Sequence, residues 1–139
     1  MPASRRGRQP DVASGCTLRW RTDQDPVDVS TKNFAEVVSA AEEEVDEPTI
    51  LELRSPARAE MTIGIGGQVS VATFAASDEP PYFVSAGSET GDDVIVFFRD
   101  GHWTEFGRQN AITPAAALAA AREFLATHSR PTTLDWVEV

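Results

Sequence analysis

The sequence predicts a single α+β domain: a largely antiparallel sheet of about seven or eight strands with two helices packed on it. Three observations carry this prediction. Short runs with period-two hydrophobicity recur along the chain, separated by turn signals and not by helix-length crossovers. Two segments switch to a helical period. Asp100-Gly101 divides two strand-like runs in the way a tight hairpin requires. In order, the elements read β-α-β-β-β-β-β-β-α-β, with no internal repeat and no linker that divides the chain.

Met1 to Ser14 is polar, holds Arg5, Arg6 and Arg8, and shows no periodicity; it reads as a disordered basic leader before a domain at 15–139. Cys16 to Thr22 alternates, with Cys16, Leu18 and Trp20 on one side and Thr17, Arg19 and Arg21 on the other, as in a half-buried strand. Thr22 to Asp28 reads as a loop. Ser30 or Thr31 caps a helix to about Val45, with Phe34, Val37, Val38, Ala41 and Val45 on one face. Glu42, Glu43 and Glu44 crowd its last turns, where the helix dipole disfavours negative charge, so the helix should fray near Asp46. A solvated face is the ordinary explanation of these acids; an acidic edge kept for a partner is the sharper one. Thr49 to Ser55 is a strand between Pro48 and Pro56. Met61, Ile63, Val69 and Val71 predict a hairpin at Gly66-Gly67. A three-residue loop, Ile65 to Gly67, keeps the alternation by pairing Ile63 with Val69 and Met61 with Val71, with Gly67 left-handed.

Ser77 to Pro81 breaks the pattern, Tyr82 to Ser85 is a short strand, and Gly87 to Asp93 is an acidic loop. A two-residue turn at Asp100-Gly101 pairs Arg99 with His102, Phe98 with Trp103, Phe97 with Thr104 and Val96 with Glu105. One face of this hairpin then carries Val96, Phe98, Trp103 and Glu105, and the other Ile95, Phe97, Thr104 and Phe106. A hairpin apolar on both faces is either covered twice or offers one face to a partner. Thr113 caps a second helix with Pro114 at its first position; Ala117, Leu118, Ala121, Phe124 and Leu125 share a face. His128 lies near its C-terminal end, and Thr133 to Val139 closes the chain as a strand.

At 139 residues and 41% hydrophobic content, the chain can bury a core of its own. It contains no apolar run of membrane-spanning length, and the N-terminus lacks a signal peptide's apolar segment; a cytoplasmic protein is expected. Cys16 is the only cysteine, which rules out an internal disulfide. The formal charge is −10, and −13 without the three leader arginines, a balance that repels nucleic acid and anionic membranes and attracts basic partners.

No catalytic or cofactor constellation is legible. Two histidines and one cysteine lack metal-ligand spacing, and Asp92-Asp93 lacks the spaced oxygens of a calcium loop. Ser85 sits in no nucleophile elbow. His102 and Glu105 fall on opposite faces of one strand, which argues against a dyad. Glu105 shares a face with Phe98 and Trp103, as a general acid, a structural cap or a receptor for a basic group. A small acid–base enzyme centred on Glu105 and a small-ligand or peptide-binding module stay open as alternatives.

The second half of the chain resembles an immunity-protein family of bacterial polymorphic toxin systems, one often found beside deaminase toxins. The resemblance lies in Tyr82-Phe83-Val84-Ser85-x-Gly87, then Phe97-Phe98-x-x-Gly101-x-Trp103-x-Glu105-Phe106, then Ile112, Glu123-Phe124-Leu125, Pro131 and Leu134-x-Trp136. It implies a non-enzymatic cytoplasmic protein that binds and neutralises a cognate toxin domain, without nucleic acid, membrane, metal or cofactor. Such a toxin, if it acts on nucleic acid, needs a basic groove that an acidic inhibitor can fill. We expect the chain to enter that complex as a monomer, through Glu89, Asp92, Asp93, Asp100, Trp103 and Glu105. Tyr82, Phe98 and Trp136 are expected in the core.

Overall fold

A computed structural model describes residues 15–139; the leader predicted at 1–14 lies outside the described residues. The elements are β1 (Cys16–Arg19), β2 (Val27–Val29), α1 (Phe34–Glu44), β3 (Thr49–Arg54), β4 (Glu60–Ile65), β5 (Ala72–Ala75) and β6 (Tyr82–Ala86). They continue with β7 (Val94–Arg99), β8 (His102–Gly107), a 3₁₀ turn at Arg108–Asn110, α2 (Pro114–Thr127) and β9 (Asp135–Glu138). The strands form one nine-stranded sheet in the order β2-β1-β3-β4-β5-β6-β9. These neighbours are all antiparallel. β7 branches from β3 through a single parallel pair, Thr49 with Phe98, and β8 lies antiparallel to β7. The α+β prediction holds.

Alternation along the strands sorts side chains onto two faces. Cys16 and Leu18 of β1, Leu51 and Leu53 of β3, Met61 and Ile63 of β4, and Phe74 of β5 point one way. Both helices cover them: α1 with Phe34, Val38 and Ala41, and α2 with Ala117, Ala121, Phe124 and Leu125. The helical periodicity had marked each of these helix residues. Alanines bring α2 close to the sheet, so the Phe124 ring meets Phe74 edge-on at 6.1 Å. Thr113 caps α2 as predicted, its side chain accepting a hydrogen bond from the Ala116 N–H at 3.1 Å. His128 ends α2 in the left-handed conformation, with Nε2 3.3 Å from the Sγ of buried Cys16.

The signature Ser85-x-Gly87 is a structural joint. Buried Ser85 donates from its hydroxyl to the Asn110 carbonyl at 2.7 Å and accepts from the Ala72 N–H at 3.0 Å. A Cβ at Gly87 would stand 1.8 Å from the Ala111 carbonyl oxygen, so only glycine lets β6 pass the turn leading to α2.

Three local expectations need correction. The predicted loop at 22–28 gives way at Val27 to the edge strand β2, whose Val29 side chain enters the core. α1 starts at Phe34 and not after Ser30 or Thr31, because Asn33 Oδ1 takes the Ser30 N–H at 2.8 Å and holds the preceding residues in a turn. The β4–β5 register differs as well: Ile63 pairs with Ala72 and Met61 with Phe74. Phe74, not Val71, thereby joins the helix-side core. Val69 and Val71 serve a second cluster, and Ser70 is drawn out to bridge Ile112. The left-handed glycine is Gly66, not Gly67.

Candidate functional site

The β7–β8 hairpin folds over the sheet face that the helices leave open. Its turn is the predicted two-residue one, with φ of 51° at Asp100 and 82° at Gly101, and its register matches the expectation pair for pair. The inner face, Ile95, Phe97 and Phe106, packs on Ile50, Val71 and Ala111 as a second, smaller core. Phe97 can lie there because residue 64 has no side chain: a Cβ on Gly64 would stand 2.3 Å from the Phe97 ring. The outer face stays open. Phe98 is half-buried, and Trp103, 57% exposed, packs edge-on against it with ring centroids 5.4 Å apart. Of the rings expected in the core, Phe98 and Trp136 are half-buried, while Tyr82 is 42% exposed. The Tyr82 ring is turned outward, and its hydroxyl donates to the Asp78 carbonyl at 2.8 Å.

Charged side chains fix the hairpin's tip to the sheet. The Glu52 side chain, only 11% exposed, accepts from Arg19 Nη2 on one oxygen and from Arg99 Nε on the other, each at 3.0 Å. Arg99 also reaches Glu60 at 3.5 Å, and Arg54 meets the same Glu60 oxygen at 3.0 Å. Signs alternate through this chain: Arg19 stands between Glu52 and Asp100, Arg99 between Glu52 and Glu60, and Arg54 ends it on Glu60. The hydrogen bond to Glu52 is the main reason the Arg19 guanidinium is held above its ordinary value. Arg19 and Arg21 flank Trp20, but both are committed to acids: Arg19 to Glu52, and Arg21 to Asp23 and Glu44. That strand therefore offers little positive charge to a phosphate.

The six residues predicted to meet a partner separate into two groups. Asp100, Trp103 and Glu105 cluster at the tip and outer face of the hairpin. Glu89, Asp92 and Asp93 lie at its base, roughly 20 Å from Asp100 by strand rise along β7, with Glu105, opposite Val96, about 10 Å from Asp93. At the base, Arg108 pairs with Glu89 at 3.4 Å and with Asp93 at 2.5 Å. The hydrogen bond from Arg108 holds the Asp93 carboxyl below its ordinary range. Glu89 and Asp93 are thus partly neutralised within the chain. Asp100 accepts from the Thr22 hydroxyl at 2.9 Å and lies 3.9 Å from both Arg19 and Arg99.

Glu105 is exposed, and its side chain makes no hydrogen bond or ion pair among the described residues. It borders an opening of about 540 Å³ beneath β8 that mixes Glu60 and Arg99 with Tyr82, Val84 and Phe106. No group of three or more metal-ligating side chains occurs among the described residues. No helix among them is long and apolar enough to cross a membrane.

A second opening, of about 470 Å³, lies where the hairpin turn meets the ends of β1 and α1. The half-buried Trp20, Val45 and Phe98 line it together with exposed Asp46, Glu47 and Asp100. Sequence reasoning missed this site because its walls come from three distant stretches. The glutamates of the last turn of α1 and the ring of Trp20 were each noted alone, Asp46 and Glu47 were not singled out as acids, and no local pattern joins them.

The outer face of the hairpin thus presents an exposed ring, Trp103, beside exposed acids. The family model described as immunity protein Imm1 matches residues 20–138, well beyond the C-terminal signatures. The chain belongs to the immunity protein Imm1 family. No curated protein matches the sequence.

Proposed function

We propose that this immunity protein neutralises a cognate toxin domain of a polymorphic toxin system by laying the open face of its hairpin on a basic surface of that domain. The observation that carries the reading is Trp103. A large ring more than half exposed, braced edge-on by Phe98 and set beside Asp100 and Glu105, has the makings of a binding anchor. The formal charge of −10 adds long-range attraction to a cationic partner and repulsion of nucleic acid. A toxin that acts on nucleic acid, such as a deaminase, carries the basic substrate groove such a surface fits. On this reading the chain acts as a monomer in the cytoplasm, and Trp103, Asp100 and Glu105 contribute more than Glu89, Asp92 and Asp93. It performs no chemistry of its own.

The test is to express the toxin domain encoded beside this gene and measure binding and inhibition. The expected result is a one-to-one complex that abolishes toxin activity, with an association rate that falls as salt rises. No complex, or a complex whose association rate ignores salt, would overturn the reading.

A further inference from the structure

We infer that the opening between the hairpin turn, β1 and α1 is a receptor for an arginine side chain presented by the partner protein. This rests on the docking role above and names the chemistry that role uses. The floor is largely apolar and aromatic: Trp20, Val45 and Phe98 are half-buried, with Thr49 buried beside them. The rim is acidic. Asp23, Glu44, Asp46, Glu47 and Asp100 border the opening, and Arg21 is the one guanidinium in its lining; Asp100 is also offset from outside the lining by Arg19 and Arg99, each 3.9 Å away.

The carboxylates are not equally available. Arg21 pairs with Glu44 and with Asp23, and Glu44 also takes the Trp20 indole N–H at 2.6 Å. Asp46 and Glu47 have no hydrogen bond or ion pair from their side chains among the described residues. They stand just past the C-terminal end of α1, whose last turn carries three glutamates and no basic residue. The helix dipole adds negative potential at that end. Folding therefore leaves like charges together beside an aromatic floor, an arrangement a cation entering the opening would relieve. Trp103, packed edge-on against the Phe98 that forms part of the floor, extends the aromatic surface outward.

Arginine suits this site better than lysine. Its planar guanidinium lies on a ring face while its N–H fork meets carboxylates at the edge, and it is the more weakly hydrated cation. The chain displays that pattern at the rim, where the Arg21 guanidinium carbon lies 6.0 Å from the Trp20 ring centre while its nitrogens meet Glu44 and Asp23.

Two measurements test the inference. The first titrates the full chain with Nα-acetyl-arginine methylamide and with the uncharged citrulline analogue, reading backbone and indole N–H resonances by NMR. The expected result is a saturable shift of the Trp20 indole and Gly101 signals with the arginine compound alone, lost in the double variant D46K/E47K. Equal responses to both compounds, no saturable shift at these signals, or an unchanged response in the variant would overturn it. The second compares wild type and D46K/E47K for binding to the adjacent toxin domain, with a thermal melt as control. The expected result is at least tenfold weaker binding with a melting temperature equal or higher, since the substitutions also remove like-charge repulsion. Equal binding by both proteins overturns the arginine receptor and leaves the docking role standing. Failure of wild type to bind the toxin while still taking the arginine compound overturns the docking role and leaves the receptor.

Discussion

The two faces of the sheet are built on different physics. The helix side is closed and apolar: Leu51, Leu53, Met61, Ile63, Phe34 and Phe124 are all buried, and burial of such side chains contributes about 1.5–3 kcal/mol each. The hairpin side holds a second apolar cluster of five buried residues, while the tip of the hairpin is fixed by an ion-paired chain through Glu52 and Glu60. Its outer surface is left open around Phe98 and Trp103. One face supplies cohesion. The other holds the open surface proposed for docking in place with directional bonds, which fix geometry more than they add stability.

Substitutions on the two faces should therefore separate stability from binding. The largest effect is expected at the helix face. Phe124→Ala removes a fully buried ring packed on Phe74 and should cost about 3–5 kcal/mol in denaturant unfolding. Partner binding should then fail only because the fold fails. Trp103→Ala should do the reverse, changing stability by less than about 0.5 kcal/mol while weakening the complex by about 2 kcal/mol or more in calorimetry. A matching loss of stability would mean that the ring belongs to the fold.

Glu52→Gln lies between these extremes. It weakens the charge-assisted bonds to Arg19 and Arg99, whose side chains stay about a third exposed. A cost of about 1 kcal/mol is expected, smaller than for a fully buried pair because water partly replaces the carboxylate. Hydrogen exchange should quicken in β7 and β8 more than in β3 and β4; uniform acceleration would show that the ion pairs do not hold the hairpin specifically. The smallest effect concerns Glu123 on α2. Burial raises its carboxyl, but hydrogen bonds from Thr132 and Thr133 outweigh this and leave it below its ordinary value. A depressed carboxyl stabilises the fold above the ordinary carboxylate range and loses that contribution as pH falls through the folded value. Acid titration of the unfolding free energy should show this decline, less than about 1 kcal/mol, and Glu123→Gln should flatten it.

The legible parts of the fold were those set by local rules. Asp100-Gly101 has one favourable turn geometry, and that turn fixed every pair in the hairpin and its two faces. Thr113-Pro114 likewise announced α2. The β4–β5 register was misjudged because alternation alone cannot say which valines a strand keeps. Ser70 pairs with Ile112, forty-two positions away, and Val71 follows it into the second cluster. β2 was too short to show a period. Asp100, Trp103 and Glu105 could be grouped from the sequence because they are neighbours on one hairpin. Asp46, Glu47 and Trp20 were not chosen, since what brings them to Phe98 is the path of the chain through β1 and α1.

The hairpin touches the sheet's hydrogen-bond ladder at one rung, Thr49 with Phe98, beside a bond from the Phe98 N–H to the Pro48 carbonyl at 2.8 Å. The ladder constrains the hairpin at that one point; the rest of its hold comes from side chains, the Phe97 cluster beneath it and the Glu52 ion pairs at its tip. If the outer face is the docking surface proposed above, it can change without disturbing the alignment of the remaining strands. A chimera that grafts a sibling's hairpin onto this scaffold, with Gly64 and Glu52 retained, should inherit the sibling's choice of opponent.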